Sequence, residues 1–175
     1  GLTVHAMYTM GGERTNGVFF DDVYVPDEYR VGELNRGFQY ISEALDLERF
    51  TMFTFSPIQG RVELLCDYVA RAQRDGRPLR EDPVIRARIA QLLTETEVAR
   101  VLGFSFVAKS MKGGAAPTVE ASEYKLYATQ LSQRVANASL DIGGPAAQLR
   151  VGEADAPMNG RADTSYRCTV VETIG

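Results

Sequence analysis

The stretch N-R-G-F-Q-Y-I-S-E-A-L-D-L-E-R-F, residues 35–50, decides how this chain folds. From Phe38 the large apolar residues recur as Phe38, Ile41 and Leu45, then as Met52 and Phe55, the three-and-four spacing of one helix face. Position 48 lies on that stripe and is a glutamate. A carboxyl kept from water there has its pKa raised towards the range in which it exchanges protons with a weak carbon acid. A small rotation of the helix instead puts Glu48 at a boundary, solvated or paired, and the spacing alone admits both readings. Asp46 and Arg49 stand three apart and can pair along the same surface.

Outward from this helix the texture changes in both directions. Towards the N-terminus, residues 3–10 (TVHAMYTM) and 17–26 (GVFFDDVYVP) alternate apolar and polar side chains around a turn-like GGERTNG, which predicts two short strands. Two strands are marginal alone, so residues 1–31 read as the end of an incomplete β domain and 32–175 as a helical domain. Asn35 is the expected cap of the first helix, which runs to about 74 with Pro57 and Gly60 as points of a kink or break. RDGRPL (74–79) is a turn, and Asp82-Pro83 is a helix start, a capping carboxylate followed by proline in the first helical place.

The second helix carries Val84, Ile85, Ile89, Leu92, Leu93, Thr96, Val101 and Phe104 to about Lys112. KGGAAPT (112–118) interrupts the chain, and Thr118 opens a third helix bearing Tyr124, Tyr127, Leu131, Val135, Ala138 and Ile142 until GGP at 143–145 stops it. ADTSYRCTVVETIG is a fourth, shorter helix. Mainly α, an antiparallel four-helix bundle preceded by two short strands, is the expected fold.

With 45% hydrophobic residues, 175 residues can bury one substantial core. A net charge of −4 and a pI near 5.1, without aromatics interleaved among basic runs, exclude a nucleic-acid partner. Cys66 and Cys168 lie far apart with no CxxC and no neighbouring histidine, so neither a disulfide framework nor a metal site is suggested. No apolar run reaches the length of a membrane span. A reducing bacterial cytoplasm fits this usage.

The segment GLTVHAMYTMGGERTNGVFFDDVYVPDEYRVGELNRGF, followed by LDLER, DGRPL, IGGPA and YRCTVVETIG in that order, resembles the acyl-CoA dehydrogenase family where its β domain passes into the C-terminal helical domain. The resemblance implies flavin-linked α,β-dehydrogenation of an acyl-CoA thioester, a glutamate removing the α proton while the β hydride passes to FAD, with an electron-transferring flavoprotein as acceptor. In most members the base stands in an IYEGT-like stretch on the last helix. Here Gly175 takes the tyrosine's place, and Glu172 precedes the base's place by four. In a second branch, resembling the isovaleryl and long-chain enzymes, the base stands in LDLER-like sequence, and the matching residue is Glu48.

The resemblance further assigns Asp46, Leu47, Glu48 and Arg49 to the wall of the acyl-CoA site, and Gly143 and Gly144 to a turn that approaches the FAD diphosphate of a neighbouring subunit. The family's R..FG.P…Q flavin contacts are altered, with Ala72, Asp75 and Pro83 in the places of the arginine, phenylalanine and glutamine. Arg71, Gln73 or Arg74 remain as substitutes, Gln73 and Arg74 being the expected cofactor contacts. The resemblance implies a homo-oligomer built as a dimer of dimers, or a hetero-oligomer of unlike subunits as among actinobacterial sterol-degrading members. A non-catalytic partner subunit and a flavin monooxygenase-like relative are the alternatives on the same fold.

Overall fold

The computed structural model describes residues 1–51, 55–112 and 117–173, and only the backbone of residues 46, 47 and 49–51. It comprises two compact units, Gly1–Leu45 and Asp46–Gly175.

In the first unit, β1 (Leu2–Tyr8) and β2 (Arg14–Phe20) pair antiparallel, from Leu2 opposite Phe20 to Tyr8 opposite Arg14. β2 is shorter than the sequence suggested, because Asp22 turns the chain at φ 46° well before Pro26. Leu2, Val4, Val18, Phe19 and Phe20 are exposed, so the hairpin has an apolar surface that it does not bury itself. Gly32 (φ 81°) lets the Tyr40 ring lie where a β-carbon would stand, and the Tyr40 hydroxyl accepts from the Glu33 N–H at 3.1 Å. Asn35 is not the expected cap. It adopts φ 64°, and the Arg36 carbonyl takes the first helical bond, from the Tyr40 N–H at 3.2 Å, so Asn35 turns the chain into the helix from one residue outside.

The expected helix over 35–74 appears as two described segments, α1 (Gly37–Thr51) and α2 (Phe55–Arg71), with residues 52–54, and so Met52, outside the described ones. Pro57 and Gly60, the expected points of a kink or break, both lie within α2. α2 buries Ile58, Val62, Leu65 and Val69, a four-three-four stripe, each burial contributing about 1.5–3 kcal/mol. RDGRPL forms a minimal hairpin, β3 (Gln73–Arg74) on β4 (Arg77–Pro78), in which Asp75 (φ 51°) and Gly76 (φ 75°) make the left-handed pair that such a turn demands.

Asp82 caps α3 (Pro83–Met111) as its sequence promised, its Oδ1 accepting from the Val84 N–H at 2.8 Å and the Ile85 N–H at 3.2 Å. α4 spans Thr118–Gly143, and α5 (Arg161–Glu172) follows two short 3-10 turns, Pro145–Gln148 and Pro157–Gly160. Ion pairs between α3 and α4 give their sense: Arg88 meets Asp141 at 2.9 Å, Glu95 meets Arg134 at 2.8 Å and Lys109 meets Glu120 at 2.6 Å, so the partner descends as α3 climbs. Leu92 and Ala99 of α3, Leu131, Val135 and Ala138 of α4 and Ala162 of α5 join the α2 stripe in one core. The bundle is the mainly helical, antiparallel arrangement the sequence predicted, preceded by two strands.

Candidate functional site

Glu48 stands on α1 and is exposed. Its stripe is exposed as well: Phe38 at 85%, Ile41 at 53% and Leu45 at 45% of their surface. Enclosure of this carboxylate by the helix's own bundle, which the apolar spacing suggested, is therefore not met among the described residues. Periodicity reports that a helix has an apolar face and says nothing of what covers it. The side chains of Asp46, Leu47 and Arg49 lie outside the described ones, as does Gly175. Phe55, the end of the stripe, is partly buried and packs on the core, its ring 6.0 Å from that of Phe104.

The remaining candidates meet at one corner of the bundle. The α2–α3 hairpin carries Arg74 to the end of α4, where its Nη2 donates to the Ile142 carbonyl oxygen at 2.7 Å. The last carbonyls of a helix lack intrahelical donors and carry the negative end of its dipole, so a guanidinium there is doubly favourable. Gly144 follows at φ 72° and ψ −164°, a conformation essentially reserved for glycine, with its N–H returned to the Leu140 carbonyl at 2.9 Å. A β-carbon on Gly144 would meet only the Arg74 Nη2, at 3.8 Å, so the turn faces Arg74 and is otherwise open.

Gly143 differs from its neighbour. A β-carbon there would lie 2.7 Å from the Ala147 Cβ and 3.3 Å from the Met158 Cε, so this glycine serves close packing of the turn against the approach to α5. Gln73 sits exposed in β3, paired through the backbone with Pro78. Ala72, in the place of the family's arginine, is partly buried against the core and offers no charge. Arg74 and Gly144 are thus brought together, Gln73 is adjacent in sequence, and Glu48 stands on a different helix.

Two arrangements escaped sequence reasoning. Arg61 of α2 binds Glu172 of α5 at 2.7 Å and also donates to Ser132 of α4, tying three helices through half-buried groups. Glu172 is thereby a structural carboxylate, in keeping with its displacement from the family's base position. Tyr124 is fully buried, and desolvation pushes its phenol up to about 12. Partners 111 residues apart leave no trace in local spacing, whereas a tyrosine on an apolar helix stripe was a visible signal read only as packing.

Comparison with known proteins places this geometry. The model of the acyl-CoA dehydrogenase C-terminal domain matches residues 35–163. Acyl-CoA dehydrogenase FadE26 of Mycobacterium tuberculosis is 26% identical over 180 residues, covering 100% of this chain and 44% of that protein. The mitochondrial isovaleryl-CoA dehydrogenase of Solanum tuberosum is 27% identical over 139 residues, 77% of this chain and 33% of that protein. Among solved structures, the ChsE4–ChsE5 complex from Mycobacterium tuberculosis superposes with a TM-score of 0.87 at 26% identity, over 100% of this chain and 45% of the matched chain. The chain thus spans less than half the length of these relatives. It belongs to the acyl-CoA dehydrogenase family and carries that family's C-terminal helical domain.

Proposed function

We propose that this chain supplies the C-terminal domain of a flavin-dependent acyl-CoA dehydrogenase in which Glu48 is the base and Arg74 with Gly144 holds the cofactor diphosphate. The observation that carries the reading is the Arg74 guanidinium, anchored on the Ile142 carbonyl beside the open Gly144 turn. An anion approaching the C-terminus of α4 would meet unfavourable dipole charge, and Arg74 reverses the local sign. A guanidinium carries five donors in a planar fork, so one bond to a carbonyl leaves others for phosphate oxygens. The residues present therefore fit a diphosphate without the family's arginine at position 72. Gly143 contributes by packing the turn, and Gln73 stands next to the same corner.

FAD, when bound, supplies the acceptor for the β hydride. Glu48 removes the α proton of the thioester, a weak carbon acid that yields only to a base held close and kept from water. Phe38, Ile41 and Leu45, which precede Glu48 in the same apolar spacing of the sequence, are exposed and open to a cover from the rest of the enzyme and the acyl chain. Asp46, Leu47 and Arg49 line the same wall. An electron-transferring flavoprotein reoxidises the assembly, a homo-oligomer or a complex of unlike subunits in the bacterial cytoplasm.

A second reading, a partner subunit without flavin of its own, is favoured by Ala72 alone. The visible spectrum of the purified intact protein, with any subunit that accompanies it, separates the two. A flavin spectrum at about one FAD per site, bleached anaerobically by an acyl-CoA thioester, is expected; a colourless protein supports the partner subunit, and a flavin that no thioester bleaches supports the monooxygenase-like relative.

A further inference from the structure

Ile85, Leu92, Thr96, Ala99, Gly103 and Phe106 form the inner side of α3, buried in the bundle. One residue after each of these stands a second row, in which Leu93, Glu97, Arg100 and Phe104 are continued by Arg86 and Ala90 before and by Val107 and Met111 behind. Its steps alternate four and three, the spacing of a coiled-coil seam, and one residue turns it about 100° from the inner row. The bundle leaves this row open: Leu93 is 48%, Phe104 54% and Met111 82% exposed, and Val101 beside it 54%. Contiguous apolar surface of this kind along a helix marks a contact with another molecule. Glu97 and Arg100 interrupt it at its middle, where the Arg100 Nε donates to the Glu97 Oε2 at 2.8 Å and the guanidinium lies 5.3 Å from the centre of the Phe104 ring. An exposed ion pair one turn apart contributes little within one chain.

The order of residues in the row decides what covers it. Reversed about the point midway between Glu97 and Arg100, the row matches itself: Glu97 meets Arg100, Leu93 meets Phe104, Ala90 meets Val107 and Arg86 meets Met111. A two-fold axis makes each of these contacts twice, so that two acids and two bases close a ring of charge between layers of large apolar residues. The Arg86 stem can lie along Met111 with its guanidinium in water. A parallel pairing would instead set Glu97 on Glu97 and Arg100 on Arg100, like charges that oppose association. We propose that α3 packs against α3 of a second copy of this chain, antiparallel about a two-fold axis that passes between Glu97 and Arg100. This deepens the homo-oligomer of the function proposed above, and it depends neither on flavin nor on Glu48 as the base.

The test is the mass of the intact protein in solution by light scattering. Glu97→Arg and Arg100→Glu each oppose like charges at the axis and should weaken the pairing at least about tenfold, so that the mass falls to half where the wild type stays assembled. The double swap Glu97→Arg/Arg100→Glu should bring the affinity back to within about threefold of wild type. Glu97→Gln, which breaks the pair within the helix without opposing charges, should weaken association less than either reversal. Register is read separately in Leu93→Cys/Phe104→Cys on a Cys66→Ser background, since Cys66 lines the same groove as Leu93. The two sites are eleven residues, about 16 Å, apart along one helix, too far for a bridge within a chain. Mild oxidation should join two copies in the double variant and in neither single one. Wild-type mass in both charge variants overturns the α3 contact and leaves the homo-oligomer standing. A double cysteine variant that joins no better than the single ones also overturns the contact. A cross-link to an unlike subunit of the purified assembly overturns both the contact and the homo-oligomer.

Discussion

At Tyr124, burial pushes the phenol up to about 12 while the Phe55 N–H acts in the opposite direction. Below the unfolded value near 10 both states are protonated and the group does not affect folding. Between about 10 and 12 only the unfolded chain releases the proton, so stability falls as pH rises through that window. Titration of the folded protein at 295 nm should show a late tyrosinate phase that vanishes in Tyr124→Phe. Gly143 and Gly144 offer a second contrast at this scale. Their pairing was legible as a helix stop, yet one glycine is there for space and the other for its backbone angles. Alanine at 143 should cost about 1–3 kcal/mol by overpacking, and alanine at 144 a similar amount by strain, each read from urea unfolding midpoints.

Among the elements, those with strong local signals were read correctly. Asp82 followed by Pro83 fixes the start of α3 because cap and proline act within one turn, and Asp82→Ala should lower stability by about 1 kcal/mol in the same urea assay. Asn35 misled because asparagine suits both a cap and a left-handed turn, and the structure uses the second property. Of the residues the second helix carries, Ile85, Leu92 and Thr96 are buried whereas Val84, Leu93, Val101 and Phe104 stand exposed, since apolar residues lie on more than one face of α3 and spacing alone does not choose the inner side. The tie among Arg61, Glu172 and Ser132 belongs to this scale too. Arg61→Ala leaves a half-buried carboxylate and hydroxyl without their donor, and a loss of about 1–3 kcal/mol is expected, with less in Arg61→Lys, which restores the charge but not the fork.

For the whole molecule, helix lengths and short connections made the antiparallel bundle legible, while the charged pairs that set α3 against α4 became visible only in three dimensions. The candidate site was legible in a different way. Its residues were chosen by resemblance, and the structure adds that Arg74, two residues beyond the absent family arginine, reaches the Gly144 turn. What no local pattern supplies is a cover for Phe38, Ile41 and Leu45, which stand exposed, since burial is a long-range property that spacing does not report. The central claim is that Glu48 strips the α proton. Rapid anaerobic mixing of Glu48→Gln with an acyl-CoA thioester tests it most directly. Thioester binding should persist, seen as a perturbed flavin spectrum, while bleaching slows by at least about a thousandfold. Bleaching at the wild-type rate would contradict the account.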